Sequence, residues 1–259
     1  MRPRWHLVRW LAWSDLKTTM STTYLGVVWW LLDPIMLICV YWLLFSIITG
    51  RGDGYAPYPV FVGCAVVPWR CAVRSISRSA KVYRSYRSLI QGVAFPTASL
   101  PMSIVLAEGV LFVCGMAALT AASALFGVSL GWPTLQVIPL MALQFVLLAG
   151  AGFGIAAIGG LLPDMAVALP HVLRLLFYLS PSLYGIDLVA ERLGADSLLF
   201  EIYSASPVAI LFTAYRDCLW DPDWIAASQW AMLAGWSVLF FACGYTVFRT
   251  LDRALVKSA

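Results

Sequence analysis

The chain has 259 residues, of which 61% are hydrophobic and 12% charged, with a mean hydropathy of +0.84; that balance excludes an ordinary soluble globular domain. The net charge of +4 does not argue for nucleic acid, because the lysines and arginines of a membrane protein collect on its cytoplasmic side. Six cysteines without a CxxC pair and two distant histidines indicate neither a disulfide framework nor a metal site, and the cysteines read as small buried hydrophobes.

From the N-terminus, residues 4–18 suit a helix with Trp5, Val8, Leu11 and Trp13 among its apolar positions and Arg9 and Lys17 among its polar ones. Such a helix lies in the membrane interface with its tryptophans at headgroup depth. The first long apolar run starts near Tyr24, too late and too long for a cleaved signal, and reads as a retained span. Apolar stretches at about 24–49, 57–79, 98–126, 134–162, 165–183 and 224–248 predict six transmembrane helices in one all-α domain covering 1–259.

The connecting segments give the orientation. Fourteen of the 17 basic residues fall before the first stretch, between the second and third, at the start of the fifth (Arg174) or after the sixth. The other side holds Arg51, Arg192 and Arg216 beside Asp53, Asp187, Glu191, Asp196, Glu201, Asp217, Asp221 and Asp223. Both termini are therefore expected in the cytoplasm. Between the fifth and sixth stretches, residues 184–223 carry apolar runs too short to cross, which suits either short re-entrant helices on the outer face or an ordinary amphipathic loop.

Several residues within the apolar stretches invite a functional reading. Arg70, Arg74 and Arg78 recur every four residues and form one stripe on a helix. Each costs roughly 2.5–3.5 kcal/mol if it faces lipid at mid-bilayer, so the stripe either meets phosphate or marks where the helix leaves the membrane. Asp33-Pro34 reads as a kink, Glu108 as an intramembrane acid that is a functional candidate unless a partner on a neighbouring helix makes it structural, and Gly150 to Gly154 (GAGFG) as a close helix contact. No G-x-x-x-x-G-K-[ST] occurs, so the chain carries no P-loop for ATP.

Asp15-Leu16-Lys17 followed by YLGVVWWLLDP (Tyr24 to Pro34) resembles the membrane subunits of ABC-2 type exporters, especially those of bacterial surface polysaccharides. The similarity continues in order through Pro68-Trp69, Ala94-Phe95-Pro96, Leu100-Pro101, LLPDM (Leu161 to Met165), FYLSPSLY (Phe177 to Tyr184), Ser206-Pro207 and Tyr215-Arg216. Thr19-Met20 depart from the family's basic-aromatic pair, Ser206 from its asparagine, and Arg70 and Arg74 are unusual below the span-two tryptophan.

The resemblance implies a homodimer in the bacterial cytoplasmic membrane, joined to two copies of a separate ATPase that binds the ATP and magnesium, with no cofactor in this chain. It implies export of a lipid-linked polysaccharide such as O-antigen, capsule or teichoic acid. It makes residues 81–96 the segment that couples to the ATPase, through Lys81, Arg84, Arg87, Phe95 and Pro96. Trp29, Trp30, Tyr41 and Trp42 are conduit-lining candidates, since aromatic faces let a sugar chain slide, and Arg70, Arg74 and Arg78 are candidates for the carrier phosphate. The rival readings are an ABC-2 exporter of drugs or small lipids, a membrane glycosyltransferase, and a scaffold that would leave the motifs unexplained. None but the glycosyltransferase makes the chain an enzyme.

Overall fold

The computed structural model describes residues 5–21, 28–48, 53–86, 96–194 and 196–258. In chain order they form helices α1 (Trp5–Ser21), α2 (Val28–Trp42), α3 (Tyr58–Ser79), α4 (Val82–Ser85), α5 (Ser99–Leu125), α6 (Val137–Leu161), α7 (Met165–Leu179), α8 (Ile186–Leu193), α9 (Leu198–Ser204), α10 (Pro207–Leu219) and α11 (Ala227–Ser258). A π-helical segment, Leu43–Ile48, continues α2, and a 3₁₀ turn, Trp132–Gln136, leads into α6.

Six spans were expected, and this number is corrected. Among the described residues four helices are long and apolar enough to cross a membrane: Tyr58–Ser79, Ser99–Leu125, Trp132–Leu161 and Ala227–Leu251. A fifth arises only if α9 and α10, bent by 67° at their junction, count as one broken span rather than a re-entrant loop. Among the described residues the stretches at 24–49 and 165–183 are represented by shorter α-helices, residues 24–27 and 49 of the first lying outside the described residues. Each holds an α-helix of 15 residues, about 22 Å at 1.5 Å per residue, against a hydrocarbon core of about 30 Å. The first helix carries Pro34 and gives way to π-turns after Trp42. The second stops where Pro181 forces Ser180 into an extended conformation, and Ser182 Oγ then donates to the Phe177 carbonyl at 2.8 Å. The molecule is a multi-pass α-helical membrane protein, and among its described residues fewer helices are long enough to cross than the apolar runs suggest.

Local chemistry explains the other breaks. Ser206 accepts from the Ala209 amide at 3.3 Å with Pro207 in the first turn, and Ser197 does the same for Phe200 at 3.2 Å; both are standard helix starts. Serine in place of asparagine at 206 therefore keeps the cap. In α1 the residues that turn inward are Val8, Leu11, Ala12 and Leu16, while Trp5, Trp10 and Trp13 point outward. The helix docks on α5 and leaves its tryptophans free.

The two ends of the bundle differ in charge. Leu11 of α1, Val82 and Tyr83 of α4, Leu100 at the start of α5, Phe153 and Ala157 of α6 and Phe248 of α11 share one core. This end therefore carries Arg78, Lys81, Arg84 and Arg249. At the other end, Tyr58 donates to the Leu183 carbonyl at 2.9 Å and Tyr55 to Asp187 at 3.0 Å. Gln136 there bridges to Asp223 and Ile225, and acids predominate. Of the six cysteines, Cys64, Cys71 and Cys218 are buried as the sequence suggested, but Cys39, Cys114 and Cys243 are exposed.

The longest contact runs between α6 and α11. Gly150 and Gly154 lie against Gly244, and a Cβ at 244 would fall on the Gly150 carbonyl, leaving backbone as the only thing that could give. Gly244→Val should accordingly destabilise the protein by about 3 kcal/mol, at the upper end of overpacking costs. Gly235→Ala, where a Cβ meets open space, should be neutral or stabilising. Thermal unfolding of both purified variants checks the contrast.

Candidate functional site

Helix α3 carries the arginine stripe, and its guanidinium groups reach carboxylates on three neighbouring helices. Arg78 donates from Nη1 to Glu108 Oε1 of α5 at 2.7 Å and from Nη2 to Asp15 Oδ1 of α1 at 2.5 Å. Arg70 and Arg74 both reach the same oxygen, Asp33 Oδ2 of α2, Arg74 at 3.4 Å. Glu108 is 2% exposed, so its charge depends on Arg78 for compensation. Asp33, at 45%, stays accessible. Just outside the spans, burial pushes the Tyr86 phenol pKa up, and the Asp15 charge adds to this while Arg78 opposes it.

Two cavities flank the stripe. A small one of about 40 Å³ lies between Arg70, Cys71, Arg74, Glu108 and Pro34. A larger cleft of about 360 Å³ opens between α2, α3 and α7, lined by Tyr41, Trp69, Arg70, Arg74, Arg174, Phe177 and Tyr178 among others. Its walls are aromatic: Trp69 and Phe177 sit 6.0 Å apart between ring centroids, Tyr41 and Phe177 6.3 Å. The Tyr41 and Tyr178 hydroxyls meet at 3.2 Å. Helix α7 contributes one face, since Pro170, Arg174 and Tyr178 follow at four-residue spacing with Phe177 beside them. Concave, apolar walls with a few convergent charged groups describe a binding cleft.

The structure brings Tyr41, Arg70 and Arg74 together in this cleft. It places Arg78 in the ion triad below, and turns Trp42 into a separate, apolar groove of about 510 Å³ with Ile35, Ile38 and Leu119. Trp29 is 44% exposed. Lys81 and Arg84 are exposed at the basic end and Pro96 is buried. The side chain of Trp30, together with Arg87 and Phe95, lies outside the described residues. Asp33 is more than part of a kink, because it accepts from two arginines, and Glu108 has the neighbouring-helix partner that makes it structural. Reading the sequence alone did not single out Asp33, Trp69, Arg174, Phe177 or Tyr178 as cleft residues. An acid one turn or more inside an apolar run, and an arginine in register with aromatics, were the signals available.

A second buried arginine is fully engaged. Arg216 of α10 donates to the Ser182 carbonyl at 2.8 Å and the Tyr184 carbonyl at 3.3 Å, and its guanidinium lies 3.6 Å from the Phe61 ring centroid. The adjacent Tyr215 hydroxyl donates to Gln144 Oε1 at 2.6 Å, whose amide donates to the Pro68 carbonyl at 3.0 Å. This Tyr-Arg pair ties α10 to α3 and α6.

No family model matches the chain. Among curated proteins it is similar to the O-antigen export system permease protein RfbA of Myxococcus xanthus, with 26% identity over 251 residues covering 96% of this chain and 93% of that protein. Two O-antigen export system permease proteins of Klebsiella pneumoniae are also similar. One is 24% identical over 207 residues and the other 25% over 210, each covering 79% of this chain and 76% of the relative.

The triad predicts a specific instability. Arg78→Leu leaves the Glu108 carboxylate buried without its donor and should cost roughly 3 kcal/mol. Adding Glu108→Gln in the same chain should recover most of that loss in thermal unfolding.

Proposed function

We propose, from the premise that this chain is an ABC-2 type permease homologous to the O-antigen export permeases, that it moves a lipid-linked or lipid-anchored surface polysaccharide across the bacterial cytoplasmic membrane. The observation that carries this reading is the alignment with a named O-antigen export permease over 96% of the chain. The working unit is a homodimer with two copies of a separate ATPase; the absence of a P-loop from the 259 residues and the basic end of the bundle support that division of labour.

In this reading Trp29, Trp30, Tyr41 and Trp42 supply aromatic surface for the sugar chain. Arg70 and Arg74 meet the carrier phosphate through charge-assisted hydrogen bonds, and Arg78, held between Asp15 and Glu108, anchors the foot of the stripe. Lys81, Arg84, Arg87 and Phe95 form the surface that engages the ATPase, with the buried Pro96 setting the start of α5. Exposed cations at 81 and 84 suit an acidic partner surface, while α1, packed on the same core, flanks it.

Arg84→Glu tests the coupling surface. Charge reversal at an interface costs on the order of 1–2 kcal/mol, so copurification with the ATPase should weaken about tenfold. Unchanged copurification and unchanged polysaccharide-stimulated ATP hydrolysis would count against the docking assignment. Arg74→Ala should impair export while leaving assembly with the ATPase intact, measured as surface polysaccharide against copurified ATPase.

A further inference from the structure

On the opposite side of α7 from the arginine cleft lies an apolar cavity of about 800 Å³, bounded by α3, α6, α7, α10 and α11. Helix α7 is the partition: Arg174, Phe177 and Tyr178 line the cleft, whereas Leu169, Val172, Leu173 and Leu176 line the cavity. Among the described residues no charged side chain borders it. Its polar neighbours Gln144, Tyr203 and Ser206 are already engaged, Gln144 with Pro68 and Tyr215, Tyr203 with Tyr184, and Ser206 with the first turn of α10. Water therefore finds little to bind there, and a space of this size does not stay empty in a packed protein. The mouth is lateral, since Val172, Leu176 and Leu179 of α7 and Leu239 and Cys243 of α11 are exposed along it. The elbow between α9 and α10 closes the acidic end, tied to α11 by Trp236, which donates to the Ala205 carbonyl at 2.8 Å. Along α6 the lining runs from Gln144 to Ile158, roughly 21 Å at 1.5 Å per residue and about two-thirds of the hydrocarbon thickness.

We infer that this cavity is a binding site for a resident bilayer phospholipid, whose acyl chains enter between α7 and α11 and lie along α6. Its walls select lipid over a helix of a second copy. Transmembrane helices dock through small residues that let two backbones approach, and the small residues here, Gly150, Gly154 and Gly244, are spent on the seam between α6 and α11. The mouth offers branched aliphatic side chains instead, which gain dispersion contacts from a flexible chain and ask for no hydrogen bond. The position of the cavity selects a bilayer lipid over the tail of an exported lipid. Helix α7 separates it from Arg70, Arg74 and Arg174, so a lipid held by its phosphate in the cleft would have to pass its tail across that helix. Chains bound in the cavity brace α7, and Trp69, which borders both spaces, from behind the cleft.

The test uses the full chain with its ATPase in vesicles of phosphatidylethanolamine and phosphatidylglycerol, part of the phosphatidylethanolamine carrying a photoactivatable diazirine in mid-chain. One sample is irradiated in the vesicles and another after extraction and exchange into lipid-free detergent, and crosslinks are mapped by mass spectrometry. In the vesicles, Leu147 and Leu176 of the cavity and Val110 and Val238, exposed outside it, should all be labelled. After exchange, label at Leu147 and Leu176 should exceed that at Val110 and Val238 about tenfold, because a resident chain stays while a boundary chain is washed away. Ala72→Phe with Ala151→Phe fills the cavity from α3 and α6 and should lower the retained label about tenfold, while the vesicle labelling of Val110 and Val238 stays unchanged and reports an intact fold. Equal retained label at all four positions means boundary lipid only and overturns the inference, whether or not the filled variant folds. A folded, filled variant that keeps its label overturns it too. So does crosslinking of Cys243 between two copies by a short bis-maleimide without retained lipid, which would assign the cavity to a second copy. Retention of added polyprenyl phosphate at Leu147 and Leu176 in place of the phospholipid would assign it to an exported lipid, and likewise overturns the inference.

Discussion

Three guanidinium groups on one membrane-spanning helix are a constraint that the rest of the bundle must answer. Facing lipid, each would carry a cost comparable to a sizeable share of a domain's net stability. The answer comes from three directions: Asp15 on the N-terminal helix, Asp33 on α2 and Glu108 on α5. These carboxylates fix the rotation of α3, since the stripe must point to where the acids are. They also explain how α1, a helix with its tryptophans turned outward, is joined to the core, because Asp15 reaches the arginine that neutralises Glu108. The interfacial helix and the centre of the bundle thus share one electrostatic joint.

Two classes of arginine result, one buried and one lining a cleft. Arg216 is 4% exposed, with backbone carbonyls and an aromatic ring around it, and its carbonyl acceptors belong to the irregular segment after α7. Breaking α7 at Ser180-Pro181 frees carbonyls, and Arg216 satisfies them; the broken helix and the buried cation are two halves of one arrangement. Arg70, Arg74 and Arg174 stand around a space instead. Asp33, which Arg70 and Arg74 share, is itself accessible, unlike the buried acceptors around Arg216.

Outside these polar joints the molecule is held by apolar packing, and much of its surface is apolar too. Only 22% of the membrane-length part of α11 is buried within the chain, and Val238, Leu239 and Phe241 point outward. An apolar cavity of about 800 Å³ runs between α3, α6, α7, α10 and α11. Such faces fit hydrocarbon or a further helix. The charged groups gather at the two ends and in the cleft, which is the distribution expected of a chain that lives in a bilayer.

The sequence by itself determined the solvent, the helical class, the charge asymmetry of the two ends and the positions of four long helices, because apolar run length and the placement of lysine and arginine are one-dimensional properties. It also marked Gly150 to Gly154 as a close helix contact, which follows from small residues a few positions apart, whereas the caps at Ser197 and Ser206 came only with the structure. It overcounted the crossings, since hydropathy measures how apolar a run is and is blind to whether one helix continues through it. Pro181 after Ser180 ends one such run, and in another the α-helix around Pro34 passes into π-turns after Trp42. The pairing of Asp33 with Arg70 and Arg74, the Asp15–Arg78–Glu108 triad, and the meeting of Arg174 with Trp69 and Tyr41 were decided only by tertiary structure. These residues lie tens of residues apart, and which helix faces which is set by packing and charge compensation summed over the whole bundle.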